Sequence, residues 1–506
     1  MPSLCDQLED DGLRPSGIDG KAFVPFDFLE ETINNDSVKD TLGMTGGTCI
    51  KARKPSDLPD RITKDAKRIF AALVLMDKVD AIESLLDEGL TDEHLPLSRD
   101  PKYDAVLSRD GETTFQFGGL GRPTITEFIK RKQWLFLAPI LETNGDLIEV
   151  NQECALPFTE SEVIGNGQAG VVHRAKIYQA HQRGFEAETV NFQVAIKDFH
   201  QKSEFVKENE ILQQIRGLEH PHIIRHLTSI DKGKKGWYII FPWAAGGNLQ
   251  DYWEASEQEP SRDLVSWSLT QMLGLTQALQ KLHEQFKCRH GDLKPGNILC
   301  VQENGETVLK IADFGISRIH HAQTTYRKTA TTSLLLTPSY QGPEVEFEKV
   351  DKTDQRPRSR KYDIWSLGCV FLEFAIWLLH GPKAIEGFAN AKGTGKSSTN
   401  PSSPLYEVTD KATRTARVHQ LVSWTIERLQ ANPQCKEGTA LAALLNLIKN
   451  QMLQPEVEER PTAALICVEL ETIIQEAQKD PSYLLPFCDT SGVPSLDFNS
   501  FQSGTY

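Results

Sequence analysis

The sequence predicts an α+β fold of two lobes, preceded by a small, mainly helical domain. From about residue 156, short β-type runs such as EVIGNGQAGVVHRAKI and GWYIIFPW follow one another, and after residue 260 helical patterns dominate. Ahead of these lobes, residues 62–86 carry apolar side chains at helical spacing, and Gly89 is a suitable helix stop. These observations place the β-rich lobe before the helical lobe in the chain.

Composition and charge restrict the class of protein. The 506 residues are 39% hydrophobic and 25% charged, which allows several domains with cores of their own. A net charge of −15 argues against nucleic acid or an anionic membrane as a partner. Nine scattered cysteines without a CxxC pair predict neither a disulfide framework nor a zinc site. With a polar N-terminus and no long apolar run, an intracellular protein is expected, cytoplasmic or nuclear.

The predicted organisation has four parts. Residues 156–480 form the α+β domain, and the GTGKSS stretch inside it lacks the glycine that a Walker A motif needs at position 390. The stretch QWLFLAPIL, before this domain, is predicted to be a strand. The boundaries are 1–60 mostly irregular, 61–150 a helical accessory domain, 156–247 the first lobe, 248–480 the second lobe with a flexible insertion at 387–405, and 481–506 an irregular tail.

A glycine-rich hairpin opens the first lobe. Gly165, Gly167 and Gly170 allow a backbone to approach phosphates closely, and Val172 can cover a purine ring. Such a hairpin is structural more often than functional. A lysine 27 residues past Gly170, Lys197 of VAIK, is placed to reach the phosphates of a nucleotide.

A glutamate on the next predicted helix is a candidate partner for that lysine. Glu208 shares a helix face with Leu212 and Ile215, and could hold Lys197 toward a nucleotide. Glu210 is the alternative, but its phase matches the apolar stripe less well.

The stretch KCRHGDLKPGNIL concentrates groups suited to phosphoryl transfer. Asp292 can accept or orient a hydroxyl proton, and Lys294 can neutralise a transferring phosphoryl group. Asn297 offers a neutral oxygen ligand for Mg²⁺, and Asp313 of LKIADFG offers a carboxylate after an apolar strand. Each residue alone could be an ordinary loop residue, but the ordered set indicates a catalytic site.

Residues from about 158 to 478 resemble a eukaryotic protein kinase domain of the serine/threonine type. The resemblance rests on the glycine-rich hairpin, VAIK, HGDLKPGN and DFG. It implies the two-lobed protein kinase fold, ATP and Mg²⁺ bound between the lobes, and phosphate transfer to a hydroxyl of a protein substrate, with Asp292 as the base. Residues 1–150 resemble accessory regions of filamentous-fungal kinases and are a candidate region for partner binding.

The same resemblance implies further nucleotide contacts. Asn166 and Gln168 belong to the glycine-rich hairpin, and Ala195 precedes Lys197 by two positions. In the hinge, Phe241 corresponds to the gatekeeper. Trp243 and Ala244 line the adenine site, where Ala244 offers its backbone N–H and C=O. Pro242 has no N–H to donate.

Several positions resemble structural residues of the family. Asp363 resembles the buried aspartate that anchors the catalytic loop, and Arg460 resembles the partner of Glu344. Gly342 stands where the alanine of A-P-E is usual. Lys294 together with Thr337 favours serine/threonine over tyrosine as the acceptor.

Gly291 departs from the family pattern, in which an arginine stands between the histidine and the aspartate. That arginine reads a phosphate on the activation segment, so its loss implies altered regulation with catalysis retained. Arg318 is another candidate phosphate partner. A pseudokinase scaffold remains the alternative function. The segment that follows offers hydroxyls for autophosphorylation at Thr324, Thr325, Thr329, Thr331, Thr332 and Ser333.

Overall fold

The computed structural model divides the chain into two compact units. The first comprises Met1–Phe205 with His226–Pro242, and the second comprises Val206–Arg225 with Trp243–Tyr506. The residues that the structure describes are 2–44, 55–100, 105–167, 169–184, 193–315, 318–319, 338–350, 359–392, 403–486, 496–498 and 501.

The first unit contains seven helices among its described residues. Apolar side chains from the helices, such as Leu29, Ile62 and Phe70, are buried in one common core. The helices are α1 Leu4–Asp6, α2 Phe26–Thr32, α3 Asn35–Thr41, α4 Leu58–Asp65, α5 Lys67–Val74, α6 Ile82–Asp87 and α7 Arg122–Glu127.

Among the described residues, the first unit also contains a six-stranded sheet, in the order β7-β12-β13-β11-β9-β8, and three smaller sheets of two or three strands. Neighbours are antiparallel except β7, which runs parallel to β12. The strands of this unit are β1 Arg14–Pro15, β2 Ala22–Phe23, β3 Ser98–Arg99, β4 Val106–Leu107, β5 Thr114–Phe115, β6 Leu141–Glu142, β7 Leu147–Glu149, β8 Phe158–Asn166, β9 Gly170–Ile177, β10 Gln182–Arg183, β11 Gln193–Phe199, β12 Thr228–Asp231 and β13 Trp237–Pro242.

The alternation of β11 explains how the sheet separates its core face from its polar face. Val194 and Ile196 are fully buried and join a core that also contains Leu141 and Leu156 from the preceding chain. Lys197 and Ala195 point to the opposite face because successive side chains alternate. One face of the sheet is thus covered by residues that precede β8.

This packing corrects the predicted separation at residue 150. The accessory region, residues 1–150, and the β-rich lobe lie in a single unit. The prediction that residues 1–60 are mostly irregular is also wrong, since α1 to α4 form and Leu8 and Ile33 are fully buried. Periodicity could not indicate helices of three to eight residues. Ser3 and Asn34 cap two of them with reciprocal side-chain hydrogen bonds.

The predicted strand QWLFLAPIL is mostly a different structure. Gln133–Phe136 forms a 3₁₀ turn, and Leu141–Glu142 alone is a strand. The buried Gln133 side chain accepts from Leu97 N at 2.7 Å and donates to Leu97 O at 2.9 Å. These bonds to a distant backbone favour the turn over the apolar pattern.

The second unit is mainly helical, as predicted. Its helices surround α12, which is buried along most of its length. The helices are α8 Lys202–Gln214 (which starts in the first unit), α9 Leu249–Ala255, α10 Arg262–Glu284, α11 Glu344–Val350, α12 Tyr362–Ala391, α13 Gln420–Gln430, α14 Ala440–Leu447, α15 Ala463–Lys479 and α16 Pro481–Leu484. The strands are β14 Cys288–Arg289, β15 Ile298–Glu303, β16 Glu306–Ile311, β17 Arg318–Ile319, β18 Tyr406–Asp410 and β19 Thr415–Val418.

Helix α12 is broken at Gly381, whose φ of 71° and ψ of −169° are not helical, and Pro382 follows. The helix is long and apolar enough to cross a membrane, but 83% of its most apolar window is buried inside the protein, which is typical of a central core helix. Its second segment extends to Ala391, into the predicted insertion, whose residues 393–402 lie outside the described part of the chain. The tail is not wholly irregular either, since α16 forms and Phe498 is buried.

Candidate active site

The loop between β14 and β15 is anchored by hydrogen bonds to one buried carboxylate. Asp363, in the first turn of α12, accepts from His290 N at 2.9 Å and from Gly291 N at 2.8 Å. His283, near the end of α10, places its Nε2 2.8 Å from Asp363 Oδ2. Two backbone amides and one ring thus satisfy both oxygens of a carboxylate that is fully buried.

Two predicted catalytic residues, Asp292 and Lys294, meet the predicted metal ligand Asn297 in this loop. Lys294 Nζ lies 2.8 Å from Asp292 Oδ2. Asn297 Nδ2 donates to Asp292 O at 2.8 Å and to Asp292 Oδ2 at 3.0 Å. The amide nitrogen of Asn297 is therefore committed to Asp292, so its amide oxygen is the atom available to a cation. The structure brings these residues together as predicted.

Burial and charge set the ionisation of the two aspartates. Burial raises the pKa of Asp292 above its ordinary value, the nearby Asp313 raises it further, and Lys294 partly offsets both effects. Burial also opposes ionisation of Asp363, but the hydrogen bond and charge of His283 outweigh it, so the pKa of Asp363 lies below its ordinary value. Asp292 is the more readily protonated of the pair.

The side chains of Asp313 and Glu208 both lie close to Gly315. A Cβ added to Gly315 would lie 2.8 Å from Glu208 Oε2 and 3.2 Å from Asp313 Oδ1. Glu208 is 1% exposed, whereas the alternative, Glu210, is an exposed residue. Asp313 has φ of 63°, a strained conformation that aspartate tolerates better than most side chains and that is frequent at functional sites.

The loop that carries Asp313 is tied back to the Asp292 loop. His290 Nε2 donates to Ala312 O at 3.0 Å, and the His290 ring meets the Phe314 ring edge-on at 5.2 Å. Because His290 lies in the Asp292 loop and contacts the Asp313 loop, it fixes the two loops relative to each other.

The nucleotide half of the predicted site lies on the sheet of the first unit. Val172 is paired directly with Lys197 across β9 and β11, and Ala195 lies two residues from Lys197. The three side chains therefore share one face of the sheet, opposite the buried core. This is the arrangement that covering a purine and contacting phosphates requires.

The glycine-rich hairpin joins β8 to β9. Gly165 pairs with Val172, and Asn166 pairs with Val171. Gly167 N donates to Gly170 O at 2.9 Å and closes the turn. A Cβ at Gly170 would lie 2.0 Å from Asp198 O, so only glycine fits there. Gln168, the remaining predicted hairpin contact, lies outside the described residues.

The hinge residues follow β13. Phe241 is buried at the end of this strand and pairs with Ala195. Ala244 is buried, and its carbonyl accepts from Gly247 N at 3.1 Å. One lone pair of this carbonyl is therefore used within the chain, which leaves the second for a ligand. Trp243 is half-buried beside Ala244.

The predicted ion pair between Arg460 and Glu344 is present. Arg460 binds Glu344 through two parallel 2.8 Å contacts, and its guanidinium stacks over Trp365 at 5.2 Å. A Cβ at Gly342 would lie 2.3–2.8 Å from the carboxylate atoms of Glu344. Glycine replaces the usual alanine there because the carboxylate occupies the space of a methyl group.

Comparison with known proteins identifies the family. Residues 158–470, more than half of the chain, match the protein kinase domain family. The chain belongs to the protein kinase family. Each of the relatives described next is named a serine/threonine-protein kinase.

Three relatives show how much of the chain is shared with known protein kinases. Serine/threonine-protein kinase Nek8 of Danio rerio is 29% identical over 219 residues, which are 43% of this chain and 28% of that protein. Human serine/threonine-protein kinase Nek2 is 27% identical over 274 residues, 52% of this chain and 58% of that protein. Serine/threonine-protein kinase nekl-2 of Caenorhabditis elegans is 26% identical over 356 residues, 67% of this chain and 88% of that protein. The chain thus spans less than two thirds of the first two relatives.

Some site predictions are not addressed by the described residues. Thr337 and the hydroxyls of residues 324–333 lie outside them, and Arg318 is described only as part of β17. Within the described residues, no group of three or more histidine, cysteine, aspartate or glutamate side chains could hold a metal ion. His283 was not predicted as part of the site, because nothing in the sequence links it to Asp363, 80 residues away.

Proposed function

We propose that this protein kinase transfers the γ-phosphate of ATP to a serine or threonine hydroxyl of a protein substrate, with Asp292 as the catalytic base. The observation that carries the proposal is the Asp292–Lys294–Asn297 arrangement on a loop anchored by Asp363. A base must be ionised, close to the substrate proton and fixed in position. The 2.8 Å contact with Lys294 favours the ionised form of Asp292.

The donor set of Asn297 and Asp313 fits Mg²⁺. One amide oxygen and one exposed carboxylate are hard oxygen ligands, and Mg²⁺ keeps several waters or phosphate oxygens besides its protein ligands. When bound, Mg²⁺ neutralises charge on the phosphates. The chain's own residues then orient the acceptor hydroxyl at Asp292, compensate charge through Lys294, and hold both loops through Asp363 and His290.

Phosphate transfer with Asp292→Asn tests this function. We expect the variant to lose 10² to 10⁴-fold in the rate of transfer from Mg·ATP to a generic basic protein, because a positioned base contributes about that much. Asp410→Asn, at the exposed end of β18, is the matched control and should transfer like the wild type. ATP binding by each variant is measured in parallel. If wild type and Asp292→Asn both bind ATP and neither transfers phosphate, the pseudokinase scaffold becomes the better account.

Gly291 extends the proposal to regulation. Asp363 holds the loop through backbone amides, which requires no side chain at position 291. We therefore expect activity that does not depend on a phosphate in the activation segment. Phosphatase treatment before the assay should leave the rate within a few-fold of the untreated enzyme. A loss of tenfold or more, regained on incubation with Mg·ATP, would contradict this expectation.

The accessory region is proposed to complete the β-rich lobe. Strand β7 extends the sheet beside β12, with Ser229 N donating to Asp146 O at 3.1 Å and Val150 N to Asp231 O at 2.9 Å. Asp231 also forms a 2.9 Å ion pair with Lys202, the first residue of α8. The accessory region therefore completes the edge of the sheet beside β12, whose Asp231 holds the first residue of α8.

Deletion of residues 1–150 tests whether the accessory region has this structural role or is a regulatory domain that folding does not require. We expect the truncated chain to be insoluble or to lose its cooperative unfolding transition, because β12 becomes an exposed edge and the sheet core loses its cover. A soluble, folded truncated protein with wild-type activity would contradict the proposed structural role.

A further inference from the structure

Two phenylalanines of the C-terminal tail, three positions apart, pack in an aromatic cleft of the second unit. Phe498 is 4% exposed, and its ring lies 5.6 Å from Phe388 and 5.5 Å from Trp424. Phe501 lies 5.6 Å from the same Trp424 ring. The tail is therefore held by two phenylalanine side chains that lie three positions apart in the sequence.

The walls of the cleft come from two helices. Gly387 and Phe388 lie on the second segment of α12, and Trp424 and Arg428 lie on α13. Arg428 stacks on Trp424 at 5.5 Å. A Cβ at Gly387 would lie 2.8 Å from a ring carbon of Phe498, and the three atoms nearest to it all belong to Phe498. Phe498 thus fills the space that a side chain at position 387 would occupy.

Phe388, in one wall of the cleft, is connected to Tyr340 through contacts of Lys392. Lys392, at the end of α12, stacks over Phe388 at 5.0 Å and over Tyr340 at 4.8 Å. It is 2% exposed on its side chain and forms an ion pair with Glu373. Tyr340 Oη donates to Glu373 at 2.9 Å, so the tail, Phe388, Lys392 and Tyr340 form one continuous set of contacts.

We propose that the cleft of Gly387, Phe388, Trp424 and Arg428 is a docking site for a segment with two phenylalanines three positions apart, occupied in cis by Phe498 and Phe501. Occupation holds the 382–392 helix segment with Lys392 against Glu373 and Tyr340. A buried cation held between an acid and two rings has few alternative positions, so the helix segment and residues 338–341 shift together. Loss of the tail contacts therefore loosens both.

Peptide binding to full-length variants tests the docking site. The probe is a fluorescent peptide with the sequence of residues 494–506, and its anisotropy is measured with the double variant Phe498→Ala/Phe501→Ala. We expect saturable binding to this variant and at least tenfold weaker binding to wild type, because the tethered tail competes at a high effective concentration. A peptide with both phenylalanines replaced by alanine should not bind.

Gly387→Ala added to the double variant should weaken peptide binding at least tenfold, since the methyl group occupies the Phe498 site. Gly217→Ala is the matched control, because a Cβ there meets nothing within 4 Å. Thermal unfolding shows that each variant is folded. No binding to a folded double variant, or equal binding to wild type, would overturn the proposal.

Hydrogen exchange tests the coupling to Tyr340 and needs no phosphate transfer, so its outcome is independent of the proposed catalytic function. In the double variant we expect faster amide exchange in residues 338–341 and 382–392, restored by saturating peptide. Residues 263–282 of α10 provide an internal reference. Unchanged exchange in both segments would overturn the coupling, and with it the proposed role of docking.

Discussion

The backbone amide of Gly291 donates a 2.8 Å hydrogen bond to Asp363 Oδ1, and Gly291 adopts φ of 88°. The residue next to the proposed base is thus fixed through its main chain, in a conformation that favours glycine. This position supports the loop without a side chain. The consequences for stability and for catalysis can be separated by experiment.

Gly291→Ala is expected to lower the free energy of unfolding by about 1–2 kcal/mol, because a Cβ is strained at positive φ. Gly296→Ala is the matched control in the same loop, where φ is not positive and a Cβ meets no atom within 4 Å. Urea unfolding of both variants measures the difference. Equal stability of the two variants would show that the backbone conformation at position 291 does not favour glycine.

Lys294→Met is expected to move the acidic limb of the kcat/KM profile to higher pH. Lys294 lowers the pKa of Asp292 through its charge and hydrogen bond, so its removal raises that pKa and protonates the base at a higher pH. The rate above the new limb should also fall, because Lys294 no longer compensates phosphoryl charge.

Lys479→Met is the control for the loss of one positive charge, since Lys479 is 67% exposed and pairs with its helix neighbour Glu476. Its pH–rate profile should superimpose on that of the wild type. An acidic limb that stays in place in Lys294→Met would mean that Asp292 does not set it.

Lys232→Met is expected to destabilise the first unit by about 3–5 kcal/mol. Lys232 and Asp19 form a buried ion pair, with 1% and 10% of their side chains exposed, and removal of one partner leaves the other charge uncompensated. Asp19 belongs to the accessory region and Lys232 follows β12, so the measurement reports on their joint stability. Denaturant unfolding followed by circular dichroism gives the value.

Lys21→Met is the matched control, because it removes another lysine of the first unit that forms an ion pair. Lys21 pairs with Glu153 at 2.8 Å, but 28% and 45% of these side chains are exposed, so the loss should be below about 1 kcal/mol. The double variant Lys232→Met/Asp19→Leu should recover part of the stability, because no buried charge remains. Equal effects of Lys232→Met and Lys21→Met would argue against a tightly joined unit.

Asp92 predicts a pH dependence of stability in the accessory region. Its carboxylate accepts from Arg68 N and Ile69 N at the start of α5, and burial raises its pKa to about 6. Because the folded-state pKa exceeds the unfolded one, stability from this group is present below about pH 4 and is lost as the pH rises through 6.

The free energy of unfolding of wild type relative to Asp92→Asn should therefore fall by at most about 3 kcal/mol between pH 4 and pH 7. The difference between the two proteins is the quantity to compare, since other groups titrate in both. Asp10→Asn, at an exposed position, controls for the loss of one carboxylate. A difference that does not change with pH would contradict the raised pKa of Asp92.

Local patterns predicted the catalytic loop well because its residues lie close in sequence. Asp292, Lys294 and Asn297 span six positions, so one turn of backbone brings them into contact. Glu208 was favoured over Glu210 by helix phase, and the structure buries the first and exposes the second. The accessory region was predicted less well, because its helices of three to eight residues are too short to show a clear period.

The sequence by itself determined the kinase family, the order of the lobes and the identity of the loop residues that can act on a phosphate. Tertiary structure decided that His283 joins Asp363 in fixing the catalytic loop, that residues 1–150 share a unit with the β-rich lobe, and that Phe498 fills the space at Gly387. The physical reason is that each of these contacts joins residues far apart in the chain. Their energy comes from burying groups that carry no local signal of their partner.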